Sequence, residues 1–422
     1  MMPLPAPDAA LAAALFAQLR SDSFDGVGVT RDAYGAGEQR AHDLMARTAL
    51  DLGLEVTFDA ARNLYITLPG KDRSAPCAMT GSHLDSVPCG GNYDGAAGVV
   101  AGIAVLSGWR QAGFVPAVDV VVMGVRAEES TWFPYSYLGS KAAFGKVDRS
   151  VLELRRADTG RAFSEHLRDC GGDPALFGSA HLQPERIARF VELHIEQGPV
   201  LVNAGIPVGV VTGIRGSLRY RDMLVTGEYA HSGAVPRKAR RDAVRASALL
   251  IAALDVDWEA LEDAGEDLVV TFGKFYTDAD QHAFSKVAGQ ARLCVDVRSL
   301  HSATLERFDR VMQQQARRIG QAAGVEFVLG ERTGSSAAVM DADVQAQMCA
   351  AAQRHGIAHL SMASGAGHDA AVFAQMGIPT GMVFVRNEFG SHNPDEKMEL
   401  ADFMLATTLL GEALAGDGWD RH

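Results

Sequence analysis

The chain has 422 residues, a length that predicts two or three domains with enough apolar material for more than one core. Hydrophobic residues make up 47% and charged residues 22%, as in folded globular proteins, which argues against disordered and fibrous classes. The formal net charge of −13 has the wrong sign for a protein that binds nucleic-acid phosphates.

The sequence also argues against a membrane protein and against a secreted, disulfide-rich one. The longest nearly uncharged apolar helix candidate, Ala96 to Leu106, is shorter than the ~20 residues of a membrane span. The Ala-rich N-terminus has its first basic residue, Arg20, after the apolar part, which is the reverse of a secretory signal. The 5 cysteines form no C-x-x-C pair, so we expect a reducing, cytoplasmic location.

Helical and strand patterns alternate along the chain and predict an α/β fold. Helical periodicity occurs at Ala9 to Leu19, Glu38 to Leu52, Ala96 to Gln111, Ala243 to Leu254, Leu305 to Ala323, Val344 to Arg354 and Leu400 to Leu414. Short β-rich runs occur at Leu64 to Leu68, Cys77 to Thr80, Val118 to Val125, Phe190 to Ile195, Leu268 to Phe272, Leu293 to Val297 and Gly381 to Val385. This alternation indicates a sheet that is covered by helices on both faces.

One stretch breaks the alternation and predicts an inserted domain. Val208 to Tyr229 has the pattern of two adjacent strands, and helix, strand, strand and helix patterns follow up to about Gly324. A compact α+β unit inserted into a larger α/β domain explains this order. We therefore predict an insert at residues 214–329 and a larger domain formed by residues 1–213 and 330–422.

The first candidate site residues follow the strand Cys77 to Thr80. If that strand continues, His83 and Asp85 point to the same face, and the carboxylate can hold the imidazole as in many metal sites. Asp94 follows on a glycine-rich turn before a helix, where it could bridge two cations. Taken alone, His83 is more typical of a core or loop histidine, and Asp94 of a helix N-cap.

More acids and histidines lie at or near the ends of later strands, where α/β sheets bind their ligands. Glu128 and Glu129 follow the strand Val118 to Val125, His194 lies in a β-rich run, and His392 lies on a loop after the strand Gly381 to Val385. Adjacent carboxylates repel each other unless cations neutralise them. Three histidines and several carboxylates in such places predict a pair of zinc or manganese ions.

Two longer motifs are more specific than these pairs. Glu192 to Pro199 reads E-L-H-I-E-Q-G-P, and Ser364 to Ala370 reads S-G-A-G-H-D-A. With these motifs, the sequence from about Gly37 to Glu399 resembles the two-metal aminoacylase and carboxypeptidase superfamily, and within it the hydantoinase/carbamoylase branch. The resemblance implies a metal-dependent exopeptidase-like catalytic domain, with a mixed sheet and helices on both faces. It also implies that the insert is a lid and dimerisation domain of a homodimer.

The resemblance assigns the expected metal ligands position by position. His83, Asp94 and His194 are expected to bind one divalent cation, and Asp94, Glu129 and His392 the other, so that Asp94 bridges them. Zinc, manganese, cobalt and nickel all accept such nitrogen and oxygen ligands. The sequence therefore leaves the identity of the two metal ions open.

The resemblance also assigns residues around the metals. Glu128 is the expected general base, and Asp85 is expected to support His83. His231 is expected to stabilise the oxyanion of the tetrahedral intermediate, and Arg298 to bind the substrate carboxylate with its planar fork. Further expected substrate-binding residues are Gln197, Ser285, Gly367 and His368.

Two positions differ from the pattern of the branch. Relatives commonly read Gly-Ser-Arg-Phe after the acid pair, whereas Trp132 stands here in place of the arginine. This change either reshapes the pocket or is a packing substitution. Where relatives usually have a substrate-binding asparagine, the nearest equivalent is Ser285, and either His282 or Ser285 could take over its role. The exact substrate is therefore in doubt.

The leading prediction is a metal-dependent amidohydrolase that removes the carbamoyl group of an N-carbamoyl-L-amino acid and releases the amino acid, ammonia and carbon dioxide. On the same fold, the alternatives are allantoate, β-ureidopropionate or an N-acyl amino acid as substrate. A degenerate dimer that only binds an acidic ligand is disfavoured because every ligand position and Glu128 are filled. A purely structural dimerisation protein leaves the strand-end histidines and acids unexplained. The expected partner is a small molecule, with no nucleic acid and no membrane.

Overall fold

The computed structural model describes residues 4–415, and their contacts divide the chain into two units. The first unit consists of Met1–Thr212 and Val339–His422, and the second of Gly213–Ala338. The predicted insert, residues 214–329, falls within the second unit. Residues 1–3 and 416–422, the ends of the predicted larger domain, lie outside the described residues.

The first unit contains the long predicted helices and strands together with several short elements. Its part before the second unit contains α1 (Ala9–Ser23), α2 (Ala36–Asp51), β1 (Glu55–Phe58), β2 (Leu64–Leu68), β3 (Cys77–His83), α3 (Ala96–Gln111), β4 (Val120–Val125), α4 (Leu138–Ala143), α5 (Phe163–Asp169), β5 (Ile187–Ile195), α6 (Val200–Ala204) and β6 (Val208–Ile214). The second unit follows with β7 (Gly216–Thr226), β8 (Ala230–His231), α7 (Ala243–Asp263), β9 (Val269–Thr271), β10 (Phe275–Thr277), β11 (Lys286–Val287), β12 (Gln290–Ser299), α8 (Ser302–Ala323), β13 (Glu326–Val328) and β14 (Arg332–Ser335). The chain then continues with β15 (Ala338–Val339), α9 (Ala342–Arg354), β16 (His359–Ser364), α10 (Ala370–Gln375), β17 (Thr380–Val385), β18 (Asn387–Glu388), β19 (Lys397–Met398) and α11 (Leu400–Ala415).

A mixed nine-stranded sheet forms the centre of the first unit. Its order is β1-β2-β4-β3-β5-β17-β6-β15, and β16 pairs with β6. The middle strands β4, β3, β5 and β17 are parallel, whereas β1 pairs with β2, β2 with β4, and β6 with β17 in antiparallel orientation. The predicted α/β fold with a mixed sheet is therefore confirmed, and the carboxyl ends of the four parallel strands meet at one edge.

Helix α3 accounts for the long apolar run of the sequence. All of its residues from Ala96 to Trp109 are buried, because the helix packs between β3 and α11. Gly98 permits this approach, since a Cβ atom there would lie 2.4 Å from the carbonyl oxygen of Leu193 in β5. No helix among the described residues is long and apolar enough to cross a membrane.

The second unit is an antiparallel α+β layer structure. Its six-stranded sheet has the order β10-β12-β7-β13, with β14 on β7 and β9 on β12. Helices α7 and α8 pack against each other and against β7 and β12, around a core that includes Leu250, Phe308 and Met312. Because β14 pairs with β7, the unit extends beyond the predicted boundary at residue 329. Its role as a lid and dimerisation domain stays a prediction.

Candidate metal centre

The carboxyl edge of the mixed sheet brings the five predicted metal ligands together. His83 is the last residue of β3, His194 lies near the end of β5, and Glu129 follows β4. Asp94 lies on the turn before α3, and His392 lies on the loop between β18 and β19. Each group of three expected ligands offers atoms within 4.8 Å of one another. Parallel strands end at the same edge, so residues far apart in the sequence converge here.

Asp94 lies between the two groups. Its Oδ1 atom is 3.5 Å from Nε2 of His83 and 3.2 Å from Nε2 of His194. Its Oδ2 atom is 3.4 Å from Nε2 of His392, and that nitrogen is 3.0 Å from Oε1 of Glu129. One carboxylate oxygen therefore faces each group, as a bridging ligand requires.

The donor atoms have the chemistry of a metal site. The Asp94 Oδ1 atom is buried and accepts no hydrogen bond from any residue that the structure describes, and a buried acceptor without a partner is costly. Nδ1 of His83 lies 3.0 Å from the Asp85 carbonyl oxygen, and Nδ1 of His194 lies 2.9 Å from the Ile195 carbonyl oxygen. Because a carbonyl only accepts, each neutral imidazole has its proton on Nδ1 and a lone pair on Nε2, which faces Asp94. These residues fit a divalent cation.

The cluster also attracts protons. Burial opposes a charge on His83, but the nearby carboxylates of Asp85 and Asp94 outweigh burial and raise the pKa of His83 well above its usual value. For Asp94, burial opposes the negative charge, while His194 and His83 hold the pKa of the carboxyl well below its usual value. Cation binding at these residues therefore competes with protons.

Asp85 contacts His83, as expected, and also the backbone of Glu128 and Glu129. Strand β3 ends at His83, so the strand does not continue through Asp85 and this condition of the expectation is not met. The fully buried Asp85 carboxylate nevertheless lies 3.4 Å from Nδ1 of His83. Its two oxygens also accept the backbone N–H groups of Glu128 and Glu129, each at 3.1 Å. No local pattern in the sequence signalled this second contact.

Glu128, the expected general base, is half-buried beside the ligands. Burial raises the pKa of Glu128 well above its usual value, His83 opposes this shift, and Glu129 adds to it. A carboxyl group whose pKa is raised in this way is suited to acid–base catalysis. Glu128 belongs to neither group of candidate ligands, so it is free for that role.

Gln197 contacts the bridging carboxylate. Its Nε2 group donates to Asp94 Oδ2 at 2.9 Å, and the Ser391 hydroxyl donates to the same oxygen. The Oε1 atom of Gln197 is buried and accepts no hydrogen bond within residues 4–415. Gln197 and His392 both have positive φ angles, of 64° and 61°, a backbone conformation that is strained for residues other than glycine. Ser391 is a site residue that sequence reasoning missed.

The S-G-A-G-H-D-A motif lies beside the same ligands. The His368 ring is 4.5 Å from the His194 ring, centroid to centroid, and burial lowers the pKa of His368 well below its usual value. Gly367 leaves room for the Tyr137 hydroxyl, which would lie 1.7 Å from a Cβ atom at that position. Glu192, which sequence reasoning did not select, could hold an ion with His194 and His368. The signal that could have found Glu192 is its charge within the mostly apolar strand β5.

The remaining predicted residues lie in the second unit. His231 is in β8, and its Nδ1 atom accepts the N–H groups of Gly233 and Ala234 at 3.1 Å each. A neutral His231 therefore has its proton on Nε2, as a donor to an oxyanion requires. Arg298 is in β12 and donates from Nη2 to Asp296 at 3.1 Å. The exposed Ser285 accepts the Ser232 N–H through its carbonyl oxygen. The roles of these residues stay predictions.

Trp132 makes contacts typical of a packing residue. Only 7% of it is exposed, and its Nε1–H group donates to the Ser86 carbonyl oxygen at 2.7 Å. The Arg156 guanidinium lies 4.9 Å from the centre of the indole ring. Of the two interpretations of this departure from the branch pattern, these contacts favour the packing substitution.

The chain is similar to known proteins over most of its length. Residues 79–415 match the model of peptidase family M20/M25/M40. An N-carbamoyl-L-amino acid amidohydrolase from Geobacillus stearothermophilus is 34% identical over 91% of this chain and 92% of its own length. An allantoate amidohydrolase from Bacillus subtilis is 32% identical over 93% of both chains. A ureidoglycolate hydrolase from Arabidopsis thaliana is 30% identical over 92% of this chain and 82% of its own.

Among solved structures, the chain is similar to an amidase of the hydantoinase/carbamoylase family from Burkholderia multivorans. The two structures match with a TM-score of 0.89 and 27% sequence identity, over 98% of each chain.

Proposed function

Because the chain belongs to peptidase family M20/M25/M40, as an amidohydrolase of the carbamoylase and allantoate amidohydrolase group, we propose that it acts on an N-carbamoyl-L-amino acid. It removes the carbamoyl group and releases the amino acid, ammonia and carbon dioxide. The relatives named above act on ureido compounds, which share the bond to be cleaved. The homodimer through the second unit remains part of the proposal, and the mass of the protein in solution tests it.

The choice of a ureido substrate rests on one observation, the buried Oε1 atom of Gln197 that accepts no hydrogen bond from the described residues. The Nε2 end of this amide is held by Asp94, so Oε1 is left as a buried acceptor that needs a donor. A ureido group offers a terminal NH₂ to such an acceptor, whereas an N-acetyl group offers a methyl group. A site with a buried acceptor rejects ligands that cannot pair with it.

Two divalent cations are part of the proposal, and enzymes of this family depend on metal. His83, Asp94 and His194 would hold one cation, and Asp94, Glu129 and His392 the other. When bound, such cations polarise a carbonyl group and make a water molecule more acidic. The hydrogen bonds from Nδ1 of His83 and His194 to backbone carbonyls fix both rings with Nε2 towards Asp94.

Glu128 moves the proton in this proposal. Its carboxylate takes the proton from the attacking water and delivers it to the leaving nitrogen. Such general acid–base catalysis typically accelerates a reaction by a factor of ~10² to 10⁴. The raised pKa of Glu128 favours this double use, because the group can both accept and return the proton. In the second unit, the Nε2–H of His231 serves as the oxyanion donor, and Arg298 binds the substrate carboxylate.

The experiment that tests the proposal is a substrate panel with zinc- or manganese-loaded enzyme. N-carbamoyl-, N-acetyl- and N-formyl-L-amino acids with matched side chains are compared with allantoate, ureidoglycolate and β-ureidopropionate by release of amine and ammonia. We expect the highest kcat/KM for an N-carbamoyl-L-amino acid. A higher kcat/KM for allantoate or ureidoglycolate would assign that compound as the substrate and keep the protein an amidohydrolase of ureido compounds. Cleavage of only the N-acyl compounds would contradict the proposal.

Replacing Gln197 by methionine tests the role of its acceptor. Methionine has a similar length, but its thioether sulfur is only a weak acceptor for the ureido NH₂. We therefore expect the preference for N-carbamoyl over N-acetyl substrate to fall about tenfold, as for one buried hydrogen bond of ~1 to 3 kcal/mol. Both substrates lose the contact between Gln197 and Asp94 equally, so the ratio of kcat/KM values isolates Oε1. The exposed Gln18→Met is the matched control. An unchanged ratio in Gln197→Met would remove this argument for a ureido substrate.

A further inference from the structure

The backbone that carries Glu128 and Glu129 is held by buried side chains. We call residues Arg126 to Glu129 the acid-pair turn. All four backbone N–H groups of this turn donate to side-chain oxygens. The acceptors are Oδ1 of Asn63 for Arg126 at 3.0 Å, Oε1 of Glu38 for Ala127 at 2.9 Å, and Oδ1 and Oδ2 of Asp85 for Glu128 and Glu129 at 3.1 Å each.

The carbonyl groups of the same turn are held from the other side. The N–H groups of Gly139, Leu138 and Tyr137 donate to the carbonyl oxygens of Arg126, Ala127 and Glu128, at 3.0, 3.1 and 3.1 Å. These donors lie at the start of α4. The turn itself belongs to no helix or strand, so its conformation depends on these contacts.

Ala127 is the strained point of the turn. Its φ angle is 50°, in the left-handed region that residues with a Cβ atom adopt at a cost in free energy. The residue is buried, and its N–H group donates to Oε1 of Glu38. Glu38 therefore stabilises the backbone at the position where the direction of the next two acids is set.

Every oxygen of the Glu38 carboxylate is engaged. Oε1 accepts from Ala127, while Oε2 accepts the Tyr34 N–H at 2.7 Å and faces Nη1 of Arg126 at 2.8 Å. The side chains of Glu38 and Arg126 are both fully buried. A buried ion pair is weak evidence of a contribution to stability, because apolar residues often serve a core equally well. Its contacts with the acid-pair turn suggest another use.

We propose that Glu38 is a positioning residue for the reaction. Its carboxylate holds the left-handed backbone of Ala127 and so aims Glu128 at the attacking water and Glu129 at its cation. This inference rests on the proposed function for the roles of Glu128 and Glu129. Glu38 lies in α2, far from Glu128 and Glu129 in the sequence. It belongs to neither of the two motifs that carry the family resemblance, Glu192 to Pro199 and Ser364 to Ala370.

Glu38→Gln tests this proposal, because its amide has one acceptor where the carboxylate has two. Its NH₂ group would face either the Ala127 N–H or the donors of Tyr34 and Arg126. We expect kcat to fall 10- to 100-fold and KM to stay within about threefold, since Gln197 and Arg298 are untouched. We also expect the weaker of two Mn²⁺ affinities, measured by calorimetric titration, to fall about tenfold, as for mutations of groups that orient metal ligands.

Glu412→Gln is the matched control. The Glu412 side chain is 8% exposed and pairs with Arg354 and His355 at 2.7 Å each, between α9 and α11, which carry no candidate site residue. We expect this variant to lose stability but to keep kcat and both Mn²⁺ affinities. If Glu38→Gln loses stability in the same way and keeps wild-type kcat and Mn²⁺ affinities per folded molecule, Glu38 is only structural and the proposal is wrong.

A second measurement tests the backbone directly. Glycine adopts positive φ without the cost that a Cβ atom imposes, so adding Ala127→Gly to Glu38→Gln should recover at least threefold of the lost kcat. The absence of any recovery would contradict the role of Ala127. If Glu38→Gln fails to fold, Glu38→Asp with and without Ala127→Gly replaces it, with the same expected recovery. The Mn²⁺ titration needs no substrate, so it separates failure of this proposal from failure of the proposed function.

Discussion

Glu128→Gln is expected to lower kcat by about 10²- to 10⁴-fold and to leave the fold and the metal content unchanged. The amide has nearly the same size as the carboxyl group but can neither take a proton from water nor return it to the leaving nitrogen. Glu128 lies outside both groups of candidate ligands, and its backbone N–H is held by Asp85 in either case. The measurement is steady-state kinetics together with metal analysis of the purified variant.

Glu185→Gln, on an exposed turn before β5, is the control for this change of charge. A Glu128→Gln enzyme with kcat within tenfold of the wild type would rule Glu128 out as the proton carrier. A variant that also loses its metal would show that Glu128 is a ligand, and the assignment of Glu129 would then need revision. The two readouts are therefore needed together.

Asp94→Asn is expected to abolish binding of both cations and to reduce kcat/KM by about 10³-fold or more. Each oxygen of Asp94 faces a different group of ligands, so one substitution affects both. Loss of several kcal/mol of transition-state stabilisation corresponds to a factor of this size. Metal content, measured by emission spectrometry after dialysis, should fall close to zero, and added Mn²⁺ should no longer raise Tm.

The exposed Asp395→Asn, three residues from His392 on the same loop, should keep wild-type metal content and is the control. If Asp94→Asn retains one tightly bound cation, Asp94 does not bridge, and the two groups of ligands are independent. His392→Ala offers a useful comparison. It removes a ligand from one group only, so the bridging arrangement predicts that it keeps more metal than Asp94→Asn.

The sequence predicted the parts of the fold that have a strong period. Helix α8 and strand β4 were found because an apolar stripe or a β-branched run marks them over their length. The short helices α4 and α10 were missed, because six residues cannot display a helical period. Strand β1 alternates only weakly between half-buried and exposed residues, so its pattern is indistinct.

His83, His194 and Glu129 could be predicted because they lie at or near strand ends, which converge. The resemblance to the hydantoinase/carbamoylase branch added Asp94 and His392. The residues that hold them could not. Glu38 and Ala127 are joined by one hydrogen bond across a long stretch of sequence, and Glu38 alone resembles any acid in the first turn of a helix. Ser391 reaches Asp94 from a loop whose conformation no local pattern specifies. Contacts between distant residues of this kind depend on the whole fold.

The order of strands in the mixed sheet has a consequence for how the protein folds during its synthesis on the ribosome. Strand β17 lies between β5 and β6, yet the whole second unit separates β6 from β17 along the chain. While the chain is being synthesised, the centre of this sheet therefore stays open until residue 385 has emerged, and His392 follows later still. The second unit, whose sheet uses only its own strands, can fold earlier. The candidate ligand group that contains His392 is therefore completed only at the last stage of synthesis.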